Sequence, residues 1–274
     1  LKHLLTMTSG LQTDDSYIYR WRGLSEMVQA DDWVQFVLDR PMAEHPGTRF
    51  EYSNCVTFLL SAIIQKTTGM NTFEFMQKHL FGPLEITDVE WGTSPARISV
   101  GYGAMSLTPH DMAKIGWLYL NNGRWGDQQL VPEKWVTDST RKHINATLFD
   151  GYGYQWWVHQ DGYYMALGAG GQFLIVLPEY DAVVVFTGKL STETWLVSHD
   201  LLRRYILPAL AVDEPLPDYP EPKAKTADAA MPGRTSGRWM SSRRCADSAN
   251  CCRRCWAWPL ISRPLTPSAS VSAR

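Results

Sequence analysis

Residues 163–186 read YYMALGAGGQFLIVLPEYDAVVVF, and this stretch decides the fold class. It holds three runs rich in β-branched and aromatic residues with short turn sequences between them, a pattern typical of antiparallel strands. The runs are Tyr163 to Leu167, Phe173 to Leu177 and Ala182 to Phe186. We predict that Pro178 to Asp181 joins the last two runs as a hairpin turn. The pattern over Thr192 to Leu207 predicts a terminal helix that covers the sheet and ends at Pro208.

The chain before this sheet, from about Leu1 to His159, is predicted to form a mostly helical lobe. Asn54 precedes a helix from Cys55 to Lys66 whose apolar residues surround the axis, so we expect this helix to be buried and to end at Gly69. Further helices are predicted to begin at Thr108-Pro109 and at Val131-Pro132-Glu133. The fold class is therefore α/β (α+β), with an antiparallel sheet flanked by helices.

Composition limits the function classes. Of the 274 residues 45% are hydrophobic and 20% charged, which indicates a globular protein with one large domain. A formal net charge of −2 gives no reason to expect nucleic acid as a partner. The sequence contains no run of about 18 apolar residues, so no membrane span is predicted. No metal or nucleotide motif is found, so we expect no cofactor, and a small-molecule substrate is the favoured partner.

The chain divides by composition into three parts. Residues 1–212 are predicted to form the domain, residues 213–232 a Pro-rich linker, and residues 233–274 a basic tail. The tail has eight arginines, no lysine and one acidic residue, Asp247, and it lacks hydrophobic periodicity. A tail that binds nucleic acid or anionic lipid is one interpretation. Disorder, or translation in a shifted frame, is the interpretation we favour. The tail cysteines fit neither a disulfide framework nor zinc spacing well.

Two short features could carry chemistry. The first is Tyr52-Ser53-Asn54 at the start of the apolar helix: a tyrosine beside a cation can share its proton near neutral pH, and an amide can orient a substrate carbonyl. The alternative is that Ser53 or Asn54 only caps the helix. The second is Gly168 to Gln172, where a bare backbone N–H could face a developing oxyanion. The alternative there is a glycine bulge or tight hairpin.

Five sequence blocks in this order resemble the serine β-lactamase-related family, which includes penicillin-binding proteins, D-alanyl-D-alanine carboxypeptidases, esterases and 6-aminohexanoate-dimer hydrolases. The resemblance covers about Leu1 to Leu210. The blocks are His3 to Leu11, Pro46 to Asn54, Leu107 to Gly116, Tyr152 to Trp157, and Gly170-Gly171-Gln172 followed by Val176-x-Pro178. The resemblance implies a β-lactamase/transpeptidase-like fold and a serine hydrolase that acts through an acyl-enzyme on ester, amide, β-lactam or peptide-like substrates.

The resemblance also implies roles for individual residues. Tyr52 becomes the proton-transfer residue and Asn54 the substrate-orienting amide. The strand element corresponds to Ala169, Gly170 and Gly171, with the Gln172 amide as an oxyanion donor. Penicillin-recognising members usually keep Lys or His at the position of Ala169, so hydrolysis of an ester or amide is favoured over penicillin turnover. Trp156 and Tyr163, with Trp157 and Tyr164, could line an apolar acyl pocket, although such aromatic density is more often core.

The nucleophile is the main departure from the family pattern. The family's Ser-x-x-Lys lies upstream of the Thr-Ser-Gly-Leu block, which here begins almost at residue 1. We therefore expect an N-terminally truncated, inactive chain that lacks the N-terminal strands and the nucleophile helix. Ser139-Thr140-Arg141-Lys142 matches the motif formally, but it follows Tyr52 and lacks the apolar helix that would desolvate the lysine. A non-catalytic protein that binds a peptide or cell-wall fragment remains the alternative function.

Overall fold

The computed structural model describes residues 1–15, 21–191 and 194–212, which fall within one compact unit, Leu1–Pro215. The predicted linker and basic tail lie outside the described residues, as do Thr192 and Glu193 at the start of the predicted terminal helix. No helix in the described part of the chain is both long enough and apolar enough to cross a membrane.

Helices predominate before the main sheet, as predicted for the lobe, and short strands that were not predicted lie among them. The helices are α1 (Lys2–Leu5), α2 (Arg22–Met27), α3 (Trp33–Leu38), α4 (Asn54–Thr68), α5 (Thr72–Met76), α6 (Pro109–Leu120) and α7 (Glu133–Thr140). A π-helical turn, Gln77–Phe81, continues α5. Two hairpins of two-residue strands pair β1 (Glu90–Trp91) with β2 (Met105–Ser106) and β3 (Arg124–Trp125) with β4 (Gln128–Gln129).

The main sheet has five antiparallel strands in chain order: β5 (Gly151–Tyr152), β6 (Trp157–Val158), β7 (Tyr164–Gly168), β8 (Gln172–Leu177) and β9 (Ala182–Phe186). The three strands predicted from the sequence are confirmed to within about one residue. A 3₁₀ turn, Pro178–Tyr180, joins β8 to β9, and Asp181 follows it in the left-handed region at φ 47°. The two short strands β5 and β6 extend the sheet beyond the prediction.

The sheet separates two layers of core, because successive side chains of a strand face opposite ways. On one face Leu174 and Val176 of β8 pack with Trp156 and Tyr164 against α6. On the other face lies the main core, which is formed by Met7, Phe50, Val56, Tyr152, Trp157, Tyr163, Met165, Phe173, Ile175, Leu177 and Leu202. The sequence segments before α4 and the C-terminal helix both contribute to this main core.

Helix α4 differs from its prediction in burial. It begins after the Ser53 cap and ends at Gly69, as expected. Its first half is buried, but Lys66, Thr67 and Thr68 are exposed and Ile63 and Ile64 are only partly buried. The expectation of a fully buried helix is therefore wrong for its second half, since apolar residues all around a helix need a partner on every side to be buried.

The C-terminal helix also differs from its prediction. It starts as α8 (Val197–Leu201), continues as a π-helical segment (Leu202–Ile206) and ends as α9 (Leu207–Leu210). The expected stop at Pro208 is wrong. Pro208 lies in the first turn of α9, where a residue without a backbone N–H is tolerated, and the π segment before it changes the hydrogen-bond register.

Candidate active site

Tyr52 lies at the entry to α4 and packs on the main core. Its ring stacks on Trp157 of β6, with centroids 5.8 Å apart and planes inclined by 20°. The backbone next to it is paired with the start of the chain, because Glu51 N donates to Met7 O at 2.8 Å. The Thr-Ser-Gly block and the Tyr-x-Asn block, separated by about forty residues in sequence, are therefore neighbours in the fold.

The Tyr52 hydroxyl is hard to ionise in this environment. Burial, followed by the charge of Asp15, raises the pKa of Tyr52 to about 12. Arg49, the nearest cation in sequence, pairs with Glu44 at 3.2 Å on the surface. The expectation of a cation that lowers the pKa of Tyr52 is therefore wrong for the described residues, and the phenol is neutral at pH 7.

Asn54 is the first residue of α4, and its side chain is held by a buried carboxylate. Asn54 Nδ2 donates to Asp15 Oδ1 at 3.0 Å. Cys55 N donates to Asp15 Oδ2 at 2.6 Å, and Ser53 Oγ donates to the same oxygen at 3.1 Å. Asp15 is fully buried, and this burial raises the pKa of its carboxyl group, while hydrogen bonds from the Cys55 backbone and side chain and from the Asn54 and Ser53 side chains act in the opposite direction. One N–H and the carbonyl oxygen of the Asn54 amide remain for other partners.

Ala169, Gly170 and Gly171 form the tight turn between β7 and β8, which we call the glycine turn. Gly168 pairs with Gln172 below it. Gly170 and Gly171 have φ of 80° and 89°, in the left-handed region that favours glycine. The backbone of this segment is therefore a tight hairpin, the alternative that the sequence left open. Gln172 starts β8, and its side chain bonds the backbone of Gly188.

The glycine turn is covered by the segment that leads into the C-terminal helix. Leu190 N donates to Gly170 O at 2.9 Å, and Ser198 Oγ donates to Gly171 O at 3.4 Å. On the sheet below, Leu167 and Phe173 pair across the two strands and contribute to the main core on which Tyr52 also packs. Tyr52 and the strand residues that flank the glycine turn therefore contact the same apolar cluster.

The aromatic residues predicted to line an acyl pocket are divided between the two faces of the sheet. Trp156 is 7% exposed and packs towards α6, whereas Tyr163 is 2% exposed and belongs to the main core. The Tyr163 hydroxyl contacts His199 Nε2 at 2.8 Å. A single pocket wall made of both residues is ruled out by this arrangement, and both are core residues, the alternative that sequence reasoning left open.

Ser139 has the environment of a structural residue. It lies at the C-terminal end of α7, is 1% exposed, and its Oγ donates to Val136 O at 3.1 Å. Lys142, by contrast, is exposed beyond the helix end. In the formal Ser-x-x-Lys match the serine hydroxyl is buried and bonded to its own helix, whereas the lysine amine is solvated. This is not the environment of an activated nucleophile.

A cavity of about 300 Å³ is lined by Asp88, Glu90, Ser106, Leu107 and Thr108 and includes none of the predicted site residues. Within residues 1–15, 21–191 and 194–212, no group of three or more His, Cys, Asp or Glu side chains is arranged to hold a metal ion.

Sequence reasoning missed Asp15. The only signal was an acidic pair, Asp14-Asp15, just after the Thr-Ser-Gly-Leu block, and acidic pairs are usually solvated. It also missed Gln155, whose side chain donates to Leu5 O at 3.1 Å and accepts from Thr57 Oγ1 at 3.2 Å. Gln155 thus ties the segment before β6 to both α1 and α4.

Comparison with known proteins identifies the family. The family model described as Beta-lactamase matches residues 1–211, and the chain belongs to this family of serine hydrolases. The chain is 26% identical over 156 residues to the 6-aminohexanoate-dimer hydrolase of Paenarthrobacter ureafaciens, covering 52% of this chain and 39% of that protein. It is 28% identical over 127 residues to the lovastatin esterase of Penicillium rubens, covering 45% and 31%. The chain thus spans well under half the length of these curated relatives.

A solved structure shows the same fold. The penicillin-binding protein from Bacillus halodurans superposes with a TM-score of 0.56 at 22% identity, over 73% of this chain and 71% of that one. The β-lactamase/transpeptidase-like fold expected from the sequence is confirmed for the helices and the five-stranded sheet.

Proposed function

We propose that this chain carries the proton-transfer and oxyanion part of an acyl-transfer site that hydrolyses small esters or amides. The observation that carries the proposal is the neighbourhood of Tyr52 and Asn54: a neutral phenol and an anchored amide at the entry of a helix, on the same core as the two strands that flank the glycine turn. In the proposed reaction a serine Oγ attacks the substrate carbonyl, Tyr52 relays its proton to the leaving group, and water later hydrolyses the acyl-enzyme.

The pKa of Tyr52 supports the need for a cation supplied from outside the described residues. A phenol with a pKa of about 12 cannot serve as a base at neutral pH. A lysine ammonium within a few ångströms would favour the phenolate and lower that pKa. The lysine of a Ser-x-x-Lys motif supplies such a cation together with the nucleophile.

We further propose that chain preceding Leu1 supplies this motif and its strands, so that the 274 residues alone are inactive. The sole Ser-x-x-Lys in the sequence is the structural Ser139 to Lys142 segment. Strand β9 supports the proposal as well, because it is the last strand in the sheet and none of the described residues pairs with its outer edge. Its five residues are apolar and all partly exposed, as expected of an edge that accepts another strand.

The substrate class follows from the glycine turn and from the relatives. Ala169 offers no cation for a substrate carboxylate, so we infer an ester or amide rather than a penicillin. The names of the two curated relatives, a 6-aminohexanoate-dimer hydrolase and a lovastatin esterase, are consistent with this class. The Gln172 backbone N–H, at the start of β8 beside the turn, is the proposed oxyanion donor.

Labelling with a serine-directed fluorophosphonate tests the proposal. The probe forms a bond from serine Oγ to phosphorus with loss of fluoride, so intact-mass spectrometry counts the labelled sites. We expect no added mass on the 274-residue chain and one added group on the chain extended through its own upstream coding sequence. The Ser139→Ala variant should leave both results unchanged. Labelling of Ser139, or no labelling of an extended chain that contains Ser-x-x-Lys, would overturn the proposal and favour a binding protein.

A further inference from the structure

A buried carboxylate lies behind the candidate site and has no role in the proposed chemistry. Thr13, Asp14 and Asp15 are 1%, 7% and 0% exposed, although all three are polar. Asp14 pairs with Arg22 at the start of α2. Asp15 has no such cation among its hydrogen-bond partners; instead it points into the start of α4, where its oxygens accept from three donors. Burying a carboxylate is costly unless its lone pairs are satisfied.

Each donor on Asp15 is constrained to donate. The Cys55 backbone N–H and the Asn54 Nδ2 group have no lone pair to offer. Ser53 Oγ is constrained by its other partners, because it accepts from Val56 N at 3.1 Å and from Thr13 Oγ1 at 3.0 Å. Its own hydrogen is therefore the one that reaches Asp15. A carboxylate has only acceptor atoms and therefore suits these three donors. An amide at position 15 would point an N–H group at one of the donors, and that hydrogen bond would be lost.

The position of the carboxylate also suits its charge. The unpaired N–H groups at the start of a helix favour a negative group there, and α4 is fifteen residues long. Asp15 thus joins the segment after the Thr-Ser-Gly block to the first residues of α4 through contacts separated by about forty positions in sequence.

We propose that Asp15 is a positioning residue of the active site: its buried carboxylate fixes the Asn54 amide in one orientation and sets the charge next to Tyr52. This role rests on the proposed function of Asn54 and Tyr52. With one N–H of Asn54 bound to Asp15, the amide plane cannot flip without losing that bond, so the other N–H and the carbonyl oxygen keep fixed directions. Asp15 acts on the substrate only through Asn54 and Tyr52.

The test uses the 274-residue chain and needs no catalysis, so its failure is separate from a failure of the proposed function. In Asp15→Asn, nuclear magnetic resonance should report two changes. The Asn54 side-chain N–H, assigned by its loss in Asn54→Ala, should exchange with solvent at least about tenfold faster, since a hydrogen bond to a charged group is lost. The ¹³Cζ titration midpoint of Tyr52, assigned with Tyr52→Phe, should fall by about one pH unit because a nearby negative charge is removed.

Asp14→Asn is the matched control, because it removes the neighbouring carboxylate without touching Asn54 or Cys55. It should leave both signals as in the wild type. The exchanged pair Asp15→Asn/Asn54→Asp restores a donor and an acceptor between the two positions. It also returns a negative charge to the start of α4, next to Tyr52. It should fold like the wild type by near-ultraviolet circular dichroism and bring the Tyr52 midpoint back up.

Three results would overturn the role of Asp15: unchanged Asn54 exchange and Tyr52 titration in Asp15→Asn, equal changes in Asp14→Asn, or failure of the exchanged pair to fold. If Asp15→Asn itself does not fold, the role of Asp15 is tested with the exchanged pair. A folded exchanged pair in which the new side-chain amide at position 15 exchanges slowly supports the proposal, and rapid exchange there contradicts it.

Discussion

The start of α4 and the glycine turn are the two sides of the proposed site, and they are built in opposite ways. At the start of α4 the geometry depends on side chains: Ser53 and Asn54 both donate hydrogen bonds to the buried carboxylate of Asp15. At the glycine turn the geometry depends on the absence of side chains, with Gly170 and Gly171 at positive φ. One side is fixed by a polar network and the other by backbone conformation and by the residues that cover it.

This difference predicts how each side responds to mutation. A buried hydrogen-bond network transmits a local change, because a displaced partner leaves a buried polar group unsatisfied. At Gly170 the atoms nearest to an added side chain lie at ordinary contact distance, so a small change there needs little movement of the neighbours. The start of α4 should therefore be the less tolerant of the two.

The largest effect is expected for Gly23→Ala. Gly23 lies in α2 against the Asp15 segment, and an added Cβ would come within 1.7 Å of the Thr13 carbonyl oxygen, which is backbone. We expect a loss of about 3 kcal/mol in the free energy of unfolding, measured with urea, because α2 must move away from residues 13–15.

Gly170→Ala in the glycine turn provides the comparison. The nearest atom to an added Cβ there is 3.5 Å away, so only the strain of φ 80° remains. This strain should cost about 1 kcal/mol. Equal losses in the two variants would contradict the difference between the two sides.

A smaller effect is expected from pH on the glycine-turn side. His199, next to Ser198, bonds Tyr163 and is buried, and this burial, followed by the charges of His159 and Arg203, lowers the pKa of His199. A histidine whose pKa is lower in the folded state stabilises the fold above its ordinary pKa, and this contribution is lost as the pH falls through that value towards the lowered one.

The free energy of unfolding of the wild type should therefore drop between pH 8 and pH 5 by more than that of His199→Gln. His45→Gln, at an exposed histidine, should follow the wild type. If His199→Gln and the wild type show the same drop, the buried histidine does not control the stability of this side.

The sequence predicted those parts of the molecule whose determinants are local. Strands β7, β8 and β9 follow from runs of five or six residues rich in aromatic or β-branched side chains and from the turn residues between them. The cap at Ser53 and the end of α4 at Gly69 are also local. The family resemblance then pointed to Tyr52 and Asn54, which the structure places together at the entry of α4.

What the sequence did not predict depends on contacts between distant residues. Asp15 becomes part of the site because its partners lie about forty residues away, a pairing that no local pattern encodes. The raised pKa of Tyr52 depends on burial and, after that, on the charge of this same carboxylate. The division of Trp156 and Tyr163 between the two faces of the sheet follows from the register of β6, β7 and β8. The last helix continues beyond Pro208 because of a π-helical segment, which has no sequence signature.

Tyr52 as the proton-transfer residue is tested most directly by the rate of acylation with a chromogenic ester in a chain extended upstream to include the proposed Ser-x-x-Lys. Tyr52→Phe removes one oxygen and keeps the ring that stacks on Trp157. The rate should fall at least about 100-fold, whereas Tyr119→Phe, on the opposite face of the sheet, should keep the wild-type rate. Wild-type acylation by Tyr52→Phe would contradict the central role of this phenol.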